Sequence, residues 1–108
     1  MALTLLQFDF PVAGPWGNEM AIAYTELAYQ LAQTPGLIWK IWTENPDTQE
    51  AGGIYLFEDE TLAERYVQEH TARLQAFGIN HIRAKQFTVN QPLTKITRGY
   101  LPVTAAWE

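Results

Sequence analysis

The stretch Gly36-Leu-Ile-Trp-Lys-Ile-Trp-Thr-Glu44 and its return run Ala51-Gly-Gly-Ile-Tyr-Leu-Phe57 constrain this chain more than any other part of it. Between them lies a polar turn, Asn45-Pro46-Asp47-Thr48-Gln49-Glu50. Two extended runs around such a turn predict a β-hairpin. Alternation along the first run puts Leu37, Trp39 and Ile41 on one face and Ile38, Lys40 and Trp42 on the other. Both faces therefore carry a Trp and a branched aliphatic. An antiparallel strand with one side in water has one polar face. This strand needs a cover on each side.

The flanking chain supplies the first cover. Residues 3–10 are rich in Leu and Phe and predict a first strand, ended by Pro11 and Gly14-Pro15. Gly17-Asn18 open a helix with Asn18 as N-cap. Its apolar positions Met20, Tyr24, Leu27, Ala28 and Leu31 share one side, and Pro35-Gly36 stop it. The hairpin strands fall at about 37–44 and 52–57, with Gly52-Gly53 marking a bulge or a close backbone approach. Asp59 caps a second helix, with Thr61…Glu64 as a rival capping box, and the helix runs to about Phe77 before Gly78. A fourth strand covers about 80–90 and ends at Asn90-Gln91-Pro92. The remainder, about 96–108 with Gly99, Pro102 and Trp107, reads as an irregular tail.

The order β-α-β-β-α-β in one domain of 108 residues predicts an α+β, ferredoxin-like fold: a four-stranded antiparallel sheet with two helices on one face. The other face is bare in a monomer. A second copy packed sheet to sheet would cover it, giving a homodimer, the dimeric α+β barrel. The alternative is a tail folded back on its own sheet. A net charge of −5 argues against nucleic acid and anionic membranes as partners, and no apolar run is long enough to span a bilayer. The N-terminus lacks a signal-peptide pattern, and the expected location is cytoplasmic. The chain contains neither Ser nor Cys, so nucleophilic catalysis through either is excluded. No His and carboxylate spacing suggests a metal, and neither Gly14-Pro-Trp-Gly17 nor Gly52-Gly53 has the form of a phosphate loop.

The second helix carries the sharpest chemical signal. Leu62, Ala63, Tyr66, Val67, Leu74 and Phe77 form its apolar stripe; His70 falls in the middle and Arg73 on the edge. A core histidine and a snorkelling arginine are the ordinary explanation. If a pocket lies between helix and sheet, burial and the nearby cation keep His70 neutral and available as a base. Trp39, Trp42 and Tyr55 are candidate rings for a slot that takes a flat molecule. One Trp faces the helices and the other faces away; alternation does not say which, and Trp39 is assigned to the pocket. His81, Arg83 and Lys85 alternate on the fourth strand as a basic solvated edge, and Lys40 and Glu44 share a face and could pair across a dimer interface.

Several of these segments resemble the YdhR-type putative monooxygenases, a family of dimeric α+β barrels. They are Leu5-Leu-Gln7 with Gly14-Pro-Trp-Gly17; Pro35-Gly-Leu-Ile-Trp-Lys-Ile-Trp-Thr-Glu44; Glu50-Ala-Gly-Gly-Ile-Tyr-Leu-Phe57; His70-Thr-Ala-Arg-Leu74; and Val89-Asn-Gln-Pro-Leu93. The match stops near Lys95. The resemblance implies the same fold and dimer. It also implies, by analogy with monooxygenases of antibiotic biosynthesis, oxidation of polycyclic phenols to quinones without metal or flavin. That chemistry needs a base, a cation to hold the phenolate and apolar ring-lined walls. His70 is then the expected base and Arg73 the phenolate partner, with Trp39, Tyr55, Tyr66 and Trp42 around the substrate. The expected function is a cofactor-independent monooxygenase acting on an aromatic or quinone-like small molecule. A dimeric small-molecule binding protein without catalysis is the alternative, and haem ligation through His70 a third.

Overall fold

The computed structural model describes residues 2–102. Along the chain come β1 (Thr4–Pro11), α1 (Gly17–Ala23), α2 (Thr25–Leu31), β2 (Leu37–Asn45), β3 (Glu50–Phe57), α3 (Glu60–Ala76), β4 (Arg83–Thr88) and α4 (Gln91–Ile96). The strands form one antiparallel sheet in the order β2-β3-β1-β4. That is the ferredoxin-like arrangement. Leu6 and Phe8 of β1 and Tyr55 and Phe57 of β3 point to one face, where they meet Leu31 of α2 and Ala63, Tyr66 and Leu74 of α3. Each large side chain so buried contributes about 1.5–3 kcal/mol.

Asp59 is the cap of α3, its carboxylate accepting from the Leu62 amide at 2.9 Å. The rival box is unused: Glu64 instead accepts from Gln86 Nε2 of β4 at 2.6 Å. Phe77 is the C-cap, so Gly78 takes the position expected of it.

The first helical region differs from expectation in two ways. It breaks at Tyr24, whose φ of −111° and ψ of 14° leave the helical region. The Thr25 hydroxyl next to the break donates to the Ala21 carbonyl at 2.5 Å, a back-bond of the kind that bends helices. Asn18 is not the cap either. Trp16 holds the N-cap position without a side-chain bond, and Glu44 of β2 reaches across to accept from the Gly17 amide at 2.8 Å. A carboxylate from a distant strand thus does the capping, which local spacing cannot reveal. The same bond gives Glu44 a role other than pairing with Lys40 across an interface.

Strand β2 holds the most consequential departure. Leu37 lies opposite Phe57, yet Trp39 lies opposite Leu56, so Ile38 is an extra residue, a β-bulge. Leu37 packs on the core, and simple alternation would send Trp39 there too. The bulge reverses the phase. Lys40 and Trp42, opposite Tyr55 and Gly53, take the helix side, and Trp39 and Ile41 take the outer side. The neighbouring Gly52 is a close approach and not a bulge: a Cβ there would lie 2.0 Å from the Phe8 carbonyl oxygen.

The C-terminal region is more regular than expected. Asn90 caps α4 by accepting from the Leu93 amide at 3.2 Å, with Pro92 in the first turn, so the triplet that ends the strand also starts a helix. Residues 103–108, including Trp107, lie outside the described residues. The outer face of the sheet is partly covered by its own chain: Leu56 is buried there, and Trp39 Nε1 donates to the Tyr100 carbonyl at 3.2 Å. Ile41 and Phe87 stay 54% and 47% exposed. Strand β4 is shorter than expected and excludes His81, which has a φ of 56°. Arg83 pairs with Asp9 and Glu50, and so is not a free member of a basic edge.

Candidate functional site

Between the sheet and the helices lies a cavity of about 620 Å³. Its floor comes from β2 and β3, one wall from α3, and the opposite wall from the broken helix α1–α2. Phe10, Met20, Tyr24, Leu27, Trp42 and Phe77 supply apolar and ring surface. Polar groups on the sheet and α3 enter it, Lys40, Tyr55, His70 and Arg73, with Asn80 and His81 at its rim. Space for the Lys40 stem comes from Gly53, where a Cβ would lie 2.7 Å from Lys40 Cε and 3.1 Å from the Tyr55 ring.

His70 is only 4% exposed. It stacks on Tyr66 at 5.0 Å and meets Phe8 edge-on at 5.1 Å. Arg73 Nη1 lies 2.9 Å from His70 Nδ1. A guanidinium only donates, so Nδ1 accepts and the ring proton sits on Nε2. Burial, with Lys40 and Arg73 nearby, pushes the His70 pKa down to about 3. The imidazole is neutral, and its one lone pair is committed to Arg73. In this geometry the His70 lone pair points at Arg73 and is not free for a ligand, whereas the expectation from spacing was an available base.

Lys40 was placed by sequence reasoning at an interface and is instead a member of the cavity. Its Nζ sits 3.6 Å from the Trp42 ring centroid and 4.7 Å from that of Tyr55, both within cation–π range. Burial and the charge of Arg73 lower its pKa to about 7. The signal was present in the sequence: Lys40 and Trp42 share a face, so whichever face holds the inner Trp also holds the lysine.

The predicted rings divide. Trp42 and Tyr55 line the cavity. Trp39 does not, because the bulge turns it outward, and its assignment to the pocket is corrected accordingly. Tyr66 is not a wall but lies behind one: it is buried, and its hydroxyl donates to Tyr55 Oη at 3.2 Å. Burial raises the pKa of both phenols. Tyr24 stacks on Trp42 at 6.3 Å and lines the cavity beside Met20 and Leu27, so the apolar stripe of the first helix already pointed to it, though it was not singled out as a site residue. The lining includes no Asp or Glu. Among the described residues no group of three or more His, Cys, Asp or Glu side chains is arranged to hold a metal ion, and no helix is long and apolar enough to cross a membrane.

Fold and cavity together define a ferredoxin-like α+β protein with a ring-walled, cationic pocket between sheet and helices. The chain belongs to the family described as Putative mono-oxygenase ydhR, whose model matches residues 5–100. That match extends past Lys95, where the recognisable sequence motifs stop, and takes in all of α4 and Tyr100. No curated protein matches the chain.

Proposed function

We propose that the protein is a cofactor-independent monooxygenase that oxidises a hydroxylated aromatic or quinone-like small molecule in this cavity. The observation that carries the reading is the pair Arg73–His70, joined at 2.9 Å and reaching a pocket whose walls are largely apolar and aromatic. A purely apolar cavity would favour a carrier without catalysis. A polar pair held at the edge of a ring slot is what stabilising an electron-rich oxyanion requires. Arg73 is the cation for that oxyanion and His70 fixes its direction, while Trp42 and Tyr55 flank the ring system. Membership of a family described as mono-oxygenases supports the reaction class. For the oxidation itself, molecular oxygen is the oxidant: one oxygen atom enters the ring carbon and the other leaves as water.

Metal-free, flavin-free protein incubated with a panel of hydroxylated polycyclic aromatics should consume oxygen and release the quinone. His70→Ala and Arg73→Met should each lower kcat/KM by about 10²-fold or more, as removal of an oxyanion donor does. Absence of turnover across the panel, or full activity in both variants, would overturn the proposal.

The assembly proposed with it is a homodimer through the outer sheet faces. It is supported by the exposed Ile41 and Phe87 on that face, although the C-terminal segment already covers part of it. Light scattering behind size exclusion should give twice the 12.3 kDa chain mass, and Ile41→Glu should reduce it to one. A monomer in the unaltered protein would refute this assembly.

A further inference from the structure

We infer that Lys40, not His70, takes the proton from an acidic hydroxyl group on the ligand, leaving the oxyanion between Lys40 and Arg73. This rests on the aromatic-pocket reading above but does not require oxygen chemistry.

Three observations carry it. First, the His70 lone pair is occupied by Arg73, so the ring has no acceptor to offer a ligand without breaking that bond. Second, Lys40 reaches into the cavity against the rings of Trp42 and Tyr55, and among the described residues it has no carboxylate partner. Its nitrogen is free to exchange a proton with a ligand. Third, the cavity gathers cation-forming groups without an acid to balance them. The titratable groups facing Lys40 across the cavity are Tyr55 from β3, His70 and Arg73 from α3, Tyr24 from the helix break and His81 at the exposed rim. In a protein of net charge −5, an internal site of this sign selects an anion. Burial also brings the lysine to about 7, where a neutral amine and an ammonium are both accessible.

The step balances simply. The neutral amine accepts the hydroxyl proton and becomes an ammonium, and the ligand becomes an aryloxide. The new ion pair lies in the cavity beside the Arg73 guanidinium. Charge is conserved within the site, and no oxidant or reductant is consumed. The ligand class is therefore a fused aromatic with an ionisable ring hydroxyl. A neutral aromatic of the same size would gain only the stacking.

The test uses two probes, 2-naphthol and its methyl ether, 2-methoxynaphthalene, which cannot ionise. Absorbance titration follows the aryloxide band of naphthol, free and bound. In the unaltered protein the bound ionisation constant should increase at least tenfold. Lys40→Met keeps the length and removes the amine; it should abolish the increase while still binding the methyl ether. His70→Gln, which retains an acceptor for Arg73, should keep the increase. An increase that survives Lys40→Met, or is lost only in His70→Gln, would overturn the inference. So would an unshifted constant with both probes bound, although the aromatic pocket would then stand. Failure of both probes to bind would remove the pocket reading as well.

Discussion

The half-buried lysine makes a prediction about stability that needs no substrate. Lys40 titrates near 10.5 in the unfolded chain and near 7 in the folded one. Between those values the unfolded chain binds more protons, so stability rises with pH across that window. Above 10.5 the folded chain carries no penalty; below 7 it carries all of it. At about 1.4 kcal/mol per unit, discounted because the residue is only partly shielded from solvent, the full effect is on the order of 2–4 kcal/mol. The assay is urea unfolding at pH 7.0 and 9.5, compared with Lys40→Met. The unaltered protein should gain a few kcal/mol on going to pH 9.5, and the variant should change much less. The variant should also be the more stable of the two at pH 7.0. Tyr55 and Tyr66 do not confuse the result: their folded values are raised, so their contribution is lost only as pH climbs above the unfolded phenol value near 10. Parallel curves for the two proteins, or a variant that is less stable at pH 7.0, would refute the reasoning that Lys40 is desolvated in the native cavity.

His70 predicts a second window. Its folded value near 3 against 6.5 unfolded means that stability is intact above 6.5 and falls as pH drops toward 3; His70→Phe should flatten that fall in an acid-unfolding series monitored by circular dichroism. Gly53→Ala places a methyl group 2.7 Å from Lys40 Cε, which can move aside, and 3.1 Å from the buried Tyr55 ring, which has little room, so it should cost about 1 kcal/mol in thermal unfolding and lower affinity for aromatic probes. The outward turn of β2 separates the two tryptophans in function: Trp42→Ala should weaken binding of 2-methoxynaphthalene about tenfold or more, whereas Trp39→Phe should leave it unchanged by fluorescence titration.

Much of the architecture could be read locally because its signals are local. Asp59 before an apolar stripe, Gly78 after it, and turn residues between alternating runs each act through backbone conformation within a few residues. The stripe on α3 likewise put His70 on the buried side and Arg73 beside it, since a helix period leaves little freedom. Much of what failed involved partners distant in sequence. Glu44 replaced Asn18 at the start of α1 through a bond spanning 27 positions. The kink at Tyr24, by contrast, is local: a Thr25 back-bond to Ala21 exchanged one straight stripe for two short helices.

The sequence by itself determined that both faces of β2 would carry apolar side chains, that one Trp would face the helices, and that Lys40 would accompany Trp42. Each of these follows from a period of two. Only the tertiary structure decided which Trp that was. Cross-strand pairing leaves Ile38 without a partner, and one unpaired residue inverts every side chain after it. That inversion moved Trp39 out of the pocket and under Tyr100, and it brought Lys40 to face Tyr55, His70 and Arg73. The chemistry of the cavity depends on a single extra residue in one strand, and alternation read from the sequence cannot show where that residue falls.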